Sequence, residues 1–234
     1  MTEKLLEQMK QYDTPSVTNV VATYPNSDLC LGLYNPWKAH WYTDQSLRCM
    51  YPELGRTIGY AVTVTYSEPD SSFSRLTFTD LCKAIQAAPK PVVLVIKQNL
   101  PEEIKNKNGL CGGNMMTAFK ALGVVGVISD GPSRDVDEVR PLGVQYMLTG
   151  VCAGHGDFAI QELNTPVDIC GMTVAPGELI HMDENGAVKF PADKLEQVAG
   201  LCEKLRVYEQ DKQQRLAQCR DPEEMGRIMS DNYK

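Results

Sequence analysis

Two short, wholly apolar runs constrain the fold of this 234-residue chain more than any other feature. They are residues 91–96 (PVVLVI) and 124–128 (VVGVI), and each follows a segment of helix-like sequence, at 77–88 and 114–122. Unbroken apolar runs of this length are typical of strands that are buried on both faces, as in sheets covered by helices. The alternation predicts an α/β fold with these two strands at its centre.

The second helix-like segment begins directly after two glycines, Gly112 and Gly113. The first backbone N–H groups of a helix have no partner within the helix, and they point outward with the positive end of the helix dipole. We expect the N–H groups of Asn114, Met115 and Met116 to form a seat for a carboxylate. The start of this helix is therefore a predicted binding site for an anion.

The loop DGPSRD follows the strand at 124–128 and places Arg134 beside Asp135. Ligand sites in α/β sheets lie beyond the carboxyl ends of the strands. The loop and the helix start together could hold a small 2-oxo acid, with its keto oxygen on Arg134 and a metal ion on Asp135. An arginine–aspartate pair on the surface, with no ligand, is an equally compatible interpretation.

The spacing of Gly113, Arg134, Asp135 and Glu138 resembles the G-x20-R-D-x2-(E/D) pattern of the RraA-like superfamily. Members that keep the final acid look like divalent-metal pyruvate aldolases acting on 4-hydroxy-4-methyl-2-oxoglutarate or 4-carboxy-4-hydroxy-2-oxoadipate, often with oxaloacetate decarboxylase activity. Members that lack it include the regulator of ribonuclease E activity. The pattern is specific for the family and much less specific for the substrate.

The resemblance also implies an architecture. Beyond Glu138 the chain changes to short strands, including a hairpin predicted at 176–188 with its turn at Asn185 and Gly186. This arrangement is similar to a swivelling β/β/α sandwich of the phosphohistidine-domain type, flanked by N- and C-terminal helices. We expect one domain, made of N-terminal helices and an aromatic segment (1–55), a core (56–191) and a C-terminal helical extension (192–234).

The resemblance implies a metal-dependent lyase. Magnesium or manganese prefers carboxylate and water ligands, so Asp135 is the predicted metal ligand. The ion and Arg134 would polarise the 2-oxo group and stabilise a pyruvate enolate, which retro-aldol cleavage and decarboxylation share. The predicted site residues are Arg134 and Asp135 for catalysis; Gly113, Asn114, Met115, Met116 and Arg134 for the substrate; and, as weaker candidates, Glu138, Asp130 and Asp70.

Asn114 departs from the family pattern, because pyruvate aldolases of this family usually carry an acid at this position. An asparagine cannot relay a proton as a carboxylate can, so binding survives this change better than proton transfer does. A noncatalytic regulatory protein on the same scaffold is therefore the alternative hypothesis. A phosphohistidine carrier would depend on His155, whose context is poor, and a lyase or hydrolase acting on a sugar acid also remains open.

Charge and composition limit the classes of partner that the chain is expected to bind. The net charge of −7 argues against nonspecific binding to nucleic acid or anionic membranes, and no apolar run is long enough to span a bilayer. Eight scattered cysteines without a CxxC pair indicate reduced thiols in a cytoplasmic protein, although Cys111, beside the glycines, could line the pocket. The resemblance implies a homotrimer or homohexamer with sites at subunit boundaries.

Overall fold

The computed structural model describes residues 1–24, 27–38, 40–73 and 75–231. Its helices are α1 (Thr2–Met9), α2 (Thr14–Val21), α3 (Phe78–Ala87), α4 (Glu102–Lys105), α5 (Gly113–Ala121), α6 (Val136–Val139), α7 (Leu195–Gln218) and α8 (Pro222–Ser230). Its strands are β1 (Arg48–Cys49), β2 (Thr57–Ser67), β3 (Val92–Asn99), β4 (Val124–Ser129), β5 (Gln145–Leu148), β6 (Ala159–Leu163), β7 (Val167–Ile169), β8 (Met172–Val174), β9 (Leu179–Asp183) and β10 (Gly186–Phe190). The predicted α/β class is confirmed.

The chain forms two compact units, a helical unit (Met1–Ala39 with Asp193–Lys234) and a sheet unit (His40–Ala192). The expectation of one domain with parts 1–55, 56–191 and 192–234 stays a prediction, and residues 40–55 lie in the sheet unit. None of the helices in the described residues combines the length and the apolar character needed to cross a bilayer.

The sheet unit is built on a mixed sheet in the order β1-β5-β4-β3-β2-β9-β10. Strands β2, β3, β4 and β5 are parallel neighbours, whereas β1, β9 and β10 are antiparallel to the strands beside them. The long strand β2 pairs with β9 through its first residues and with β6 through its last ones. Because the four parallel strands run the same way, the loops that follow them emerge at one edge of the sheet.

Apolar side chains cover both faces of the central strands. In β3, Leu94 and Ile96 belong to the cluster that contains residues of α3 and α5, whereas Val93 and Val95 belong to a cluster with the β7–β8 hairpin. All four side chains are fully buried. This explains the absence of polar alternation in the run at 91–96, because neither face of β3 meets solvent.

The helical unit is held by the apolar faces of α1 and α2 against α7. Its buried side chains include Met9, Val17, Val20, Val198 and Cys202. The Asp13 carboxylate caps α2 by accepting a hydrogen bond from the Ser16 N–H, and Pro15 lies in the first turn.

Candidate functional site

A cleft of about 480 Å³ lies where the start of α5 meets the loop after β4. Six residues that the sequence singles out line it: Gly113, Asn114, Met115, Arg134, Asp135 and Glu138. The other lining residues are Gly109, Cys111, Gly112, His155 and Phe158. Helix α5 follows β3 and the loop follows β4, so the parallel pairing of these strands brings two distant segments of the chain together.

Helix α5 begins one residue earlier than the sequence predicts, which changes which N–H groups are free. Gly112 is its N-cap, and the Met116 N–H already donates to the Gly112 carbonyl at 3.0 Å. The Met116 side chain is fully buried in the core and does not line the cleft. The first-turn donors are therefore those of Gly113, Asn114 and Met115, and the predicted seat for a carboxylate shifts by one residue.

Asp135 connects the loop to the helix start. Its Oδ2 accepts a hydrogen bond from the Gly113 N–H at 3.0 Å and lies 3.5 Å from the Arg134 Nε. Its backbone adopts the left-handed conformation, with φ 59° and ψ 37°, which is uncommon for a residue other than glycine. An aspartate held in such a conformation is a feature that often accompanies a functional site.

The two glycines leave room for the two carboxylates. A Cβ atom on Gly112 would lie 2.2 Å from the Asp135 Oδ2, and one on Gly113 would lie 2.2 Å from the Glu138 Oε2. Both distances are far below van der Waals contact, so a side chain at either position would displace the carboxylate it meets. The spacing between Gly113, Arg134, Asp135 and Glu138 thus has a direct physical reason: the glycines make room for the acids.

A buried network fixes the loop against the segment before α5. The Ser133 Oγ donates to the Leu110 carbonyl and lies 3.2 Å from the Cys111 carbonyl, which also accepts from the Tyr146 hydroxyl at 2.5 Å. Ser133 also pairs through its backbone with residues 150 and 152. Its neighbours Arg134 and Asp135 therefore project from a rigid support.

Cys111 contributes a wall of the cleft and not a reactive group. Its side chain is buried, with its sulfur 3.4 Å from the Met116 Sδ. Burial raises the pKa of the Cys111 thiol far above its usual range, so the thiol stays protonated.

His155 and Phe158 are cleft residues that the sequence did not place there. The amide side chain of Asn108 reaches across from the chain before α5, accepting from the Gly156 N–H at 3.2 Å and donating to the Gln98 Oε1 at 3.1 Å. Gly109 adds a backbone hydrogen bond to the Gly154 carbonyl at 2.8 Å. The loop that carries His155 is thus held by contacts distant in sequence, and no local pattern announces them.

Asp130 and Asp70 lie outside the cleft. The buried Asp130 carboxylate accepts from the Lys97 Nζ and the Gln98 N–H, both at 2.7 Å, and lies 3.3 Å from the Lys105 Nζ. It therefore fixes the end of β3 to the loop after β4. Asp70 is exposed and closes a turn by accepting from the Ser72 N–H at 2.6 Å, and this bond lowers the pKa of its carboxyl.

The cleft offers two carboxylates to a cation. Among the described residues, no group of three or more His, Cys, Asp or Glu side chains is arranged to hold a metal ion. Magnesium, however, is commonly bound by one or two carboxylates and otherwise by water and substrate oxygens. Asp135 and Glu138, side by side against the glycines, fit that mode of binding and do not fit a closed cage.

Comparison with known proteins shows to which family the chain belongs. The model of the RraA-like family, described as Aldolase/RraA, matches residues 27–189, which is more than half of the chain. The chain belongs to the RraA-like family. Its members differ in function, so membership leaves the reaction to be argued from the site.

Two relatives and one solved structure are examples of the proteins to which the chain is similar. Protein DlpA of Legionella pneumophila is 27% identical over 159 residues, which are 66% of this chain and 25% of that protein. A Stutzerimonas stutzeri protein, named provisionally as a 4-hydroxy-4-methyl-2-oxoglutarate aldolase, is 39% identical over 80 residues, 32% of this chain and 49% of that protein. The chain thus spans a quarter to about half of these relatives.

The solved structure is RraAS2 of Streptomyces coelicolor, described as an unusual member of the RNase ES inhibitor RraA family. It superposes with a TM-score of 0.68 at 21% identity, covering 91% of this chain and 98% of that one. At this identity the likeness shows the fold alone, and the fold is that of the RraA-like family.

Proposed function

We propose that this RraA-like protein is a divalent-metal-dependent pyruvate lyase that cleaves a 4-hydroxy-2-oxo acid by a retro-aldol reaction, and that the same site decarboxylates oxaloacetate. The observation that carries the proposal is the convergence of Arg134, Asp135 and Glu138 with the first turn of α5 in one cleft. A cation, two carboxylates and oriented N–H donors are what a small 2-oxo acid and a metal ion require together.

The substrate's carboxylate is assigned to the first turn of α5. The N–H groups of Asn114 and Met115 lie at the positive end of the helix dipole, where a carboxylate is stabilised. Asn114 adds a side-chain amide, which can donate a hydrogen bond but cannot accept a proton. In this chain the residue therefore binds, and the proton transfers fall to other groups.

Arg134 is assigned to the 2-oxo group. Its Nε is buried and has no hydrogen-bond partner among the described residues, although the Asp135 carboxylate lies 3.5 Å away. A buried donor without an acceptor is costly, and a ligand oxygen would remove that cost. The guanidinium would then stabilise the negative charge that develops on O2 when the C3–C4 bond breaks.

A divalent cation fits beside this group, held by Asp135 and Glu138. When bound, it would supply a second positive charge for the 2-oxo oxygen. The positive charge of the ion would then offset the repulsion between the two carboxylates and the anionic substrate.

His155 is assigned the role of the general base that accepts the proton of the C4 hydroxyl. Its Nδ1 lies 2.9 Å from the Gly156 carbonyl, which can only accept, so Nδ1 carries the proton and Nε2 of the neutral ring keeps a free lone pair. As the C4–OH proton passes to Nε2, C4 becomes a carbonyl and the electron pair of the C3–C4 bond moves to C3 and O2. Return of this proton from Nε2 to C3 then yields pyruvate and the neutral ring.

The deciding experiment is coupled detection of pyruvate released from oxaloacetate and from 4-hydroxy-4-methyl-2-oxoglutarate, with magnesium, with manganese and with a chelator. Because free metal ions decarboxylate oxaloacetate, each rate is corrected with a protein-free blank. We expect metal-dependent release that Arg134→Ala reduces by at least about 100-fold with the fold intact, since it removes the donor for O2. Arg134→Lys, which keeps the charge but loses the planar fork, is the matched control and should retain partial activity.

Unchanged turnover in Arg134→Ala would remove Arg134 from the reaction. If the well-folded wild type releases pyruvate from neither substrate with any metal, the result would reject these two substrates and favour either a different 2-oxo acid or the noncatalytic regulatory alternative.

A further inference from the structure

A second cavity, of about 220 Å³, adjoins the cleft. Most of its walls are apolar, and they come from the segment before α3, from α5 and from the chain around β6: Leu76, Phe78, Met115, Phe158, Ala159 and Ile160. Met115 and Phe158 line both this cavity and the cleft. A ligand seated on Arg134 and the start of α5 therefore has an apolar space directly beside it.

Tyr66 adds the feature that distinguishes this cavity from a packing gap. The residue lines the cavity and is 1% exposed, and its hydroxyl has no hydrogen-bond partner among the described residues. Burial raises the pKa of Tyr66 far above its usual range, so the group remains a neutral donor. Buried hydroxyl groups normally find an acceptor, and here none of the described residues supplies one.

We propose that this cavity, the Tyr66 pocket, receives the substituent on C4 of the substrate, and that the substituent is an apolar arm, aromatic or branched aliphatic, carrying one oxygen acceptor. The inference rests on the proposed lyase function, because it takes the 2-oxo acid end to lie in the cleft. The carbonyl product of the retro-aldol step would then be an apolar aldehyde or ketone.

The size and chemistry of the Tyr66 pocket favour a larger, mostly apolar substituent over a small polar one. Apart from Tyr66 and the exposed Arg75, every residue that lines it is apolar. A short carboxylate would leave most of this surface unburied, whereas a ring would contact Phe158, Met115 and Ile160 together. Burying apolar area in this way favours the larger ligand.

The test compares two ligands that lack the 4-hydroxyl and cannot be cleaved. Calorimetric titration of the whole protein, with magnesium present, measures the dissociation constants of pyruvate and of 2-oxo-4-phenylbutanoate. We expect the phenyl compound to bind about tenfold tighter, after discounting the buried area for the ordering of the arm. Leu76→Trp, which fills the pocket, and Phe78→Ala, which removes a wall, should each bring the ratio close to one and leave pyruvate binding unchanged.

A third ligand tests whether the Tyr66 hydroxyl donates a hydrogen bond to the arm of the ligand. The 4-methoxyphenyl analogue should bind the wild type about fivefold tighter than the phenyl compound does, and this advantage should disappear in Tyr66→Phe because the donor is gone. Thermal unfolding of each variant verifies the fold, and the two wall variants provide independent readings if one of them is unstable.

The outcomes separate the two proposals. Equal binding of pyruvate and 2-oxo-4-phenylbutanoate by the wild type would overturn the Tyr66 pocket and leave the lyase proposal intact. Binding of neither compound would overturn both. An advantage for the phenyl compound that persists in Leu76→Trp and Phe78→Ala would place the arm elsewhere and overturn the inference.

Discussion

Two buried tyrosines differ in whether their hydroxyls are satisfied, and stability should differ accordingly. The Tyr66 hydroxyl has no hydrogen-bond partner in the part of the chain that the structure describes, whereas Tyr146 donates to the Cys111 carbonyl at 2.5 Å and contacts the Ser133 Oγ. We expect Tyr66→Phe to leave the free energy of unfolding unchanged or to raise it by up to about 1 kcal/mol, since no hydrogen bond is lost. Tyr146→Phe should lower it by roughly 1–3 kcal/mol, because buried acceptors lose their donor.

Urea titration of both variants measures this difference. Equal losses would mean that the Tyr66 hydroxyl is paired in solution, in which case the pocket would lose its polar anchor. The comparison involves no ligand and no turnover, so it does not depend on the proposed reaction.

Gly113 is the residue at which the family pattern and the geometry can be tested together. A methyl group there would push against the Glu138 carboxylate, so Gly113→Ala should reduce pyruvate release roughly 100-fold by displacing the acid from the cleft. Gly154→Ala is the control, because a Cβ at Gly154 meets nothing within 4 Å and should leave the rate nearly unchanged. Full activity in Gly113→Ala would show that the position of Glu138 is not critical.

At the scale of elements, Gly200 is a helix residue without a structural reason to be glycine. It lies in α7, and an added Cβ would meet nothing within 4 Å. Gly200→Ala should raise the free energy of unfolding by about 0.5–1 kcal/mol, because alanine loses less backbone entropy in a helix. Thermal or urea unfolding measures the gain.

Gly126 in β4 is the opposite case and provides the comparison. A Cβ at this position would lie 1.9 Å from the Met182 Cε and 3.4 Å from the Thr57 Cγ2. Gly126→Ala should destabilise the sheet unit by roughly 1–3 kcal/mol through overpacking. A gain in stability at both glycines would contradict the packing described between β4 and β9.

The elements that the sequence predicts well are those with an unambiguous burial pattern. The runs in β3 and β4 are buried on both faces, so local sequence alone identifies them. The sequence does not predict strand β6, because Ala159–Leu163 mixes apolar and polar residues and its pairing partner is the distant end of β2. The hairpin was predicted with its turn at Asn185 and Gly186, yet Gly186 pairs with Asp183, so the turn is made by Glu184 and Asn185.

Within the cleft, too, the residues that share a short segment are predictable from the sequence, whereas those brought in from distant segments are not. Arg134, Asp135 and Glu138 lie in one short segment, so their spacing relative to Gly113 is readable from the sequence. The sequence places the start of α5 one residue late because glycine is a poor helix former, and the approach of Glu138 accounts for the glycine in its first turn. His155 reaches the cleft through the side chain of Asn108, a contact between segments nearly fifty positions apart, which no local pattern encodes.

For the molecule as a whole, buried thiols and phenols determine how stability responds to alkaline pH. Burial raises the pKa of Cys202 from 9.0 to about 12 and that of Tyr51 from 10.0 to about 12. It also raises the pKa values of Cys111, Tyr66 and Tyr146. In each case the folded state binds its proton more tightly than the unfolded state does.

The sign of the effect follows from linkage. Below pH 9 both states keep these protons, and the free energy of unfolding does not depend on them. Above pH 9 the groups ionise first in the unfolded chain, which stabilises the unfolded state relative to the folded state. We expect the free energy of unfolding, measured by urea titration, to be constant from pH 7 to 8.5 and to fall between pH 9 and 12. Cys202 alone should contribute a slope of roughly 1.4 kcal/mol per pH unit. Cys202→Ala, although less stable at neutral pH, should show a shallower decline, and an unchanged slope would mean that the thiol ionises as readily in the folded protein as in the unfolded chain.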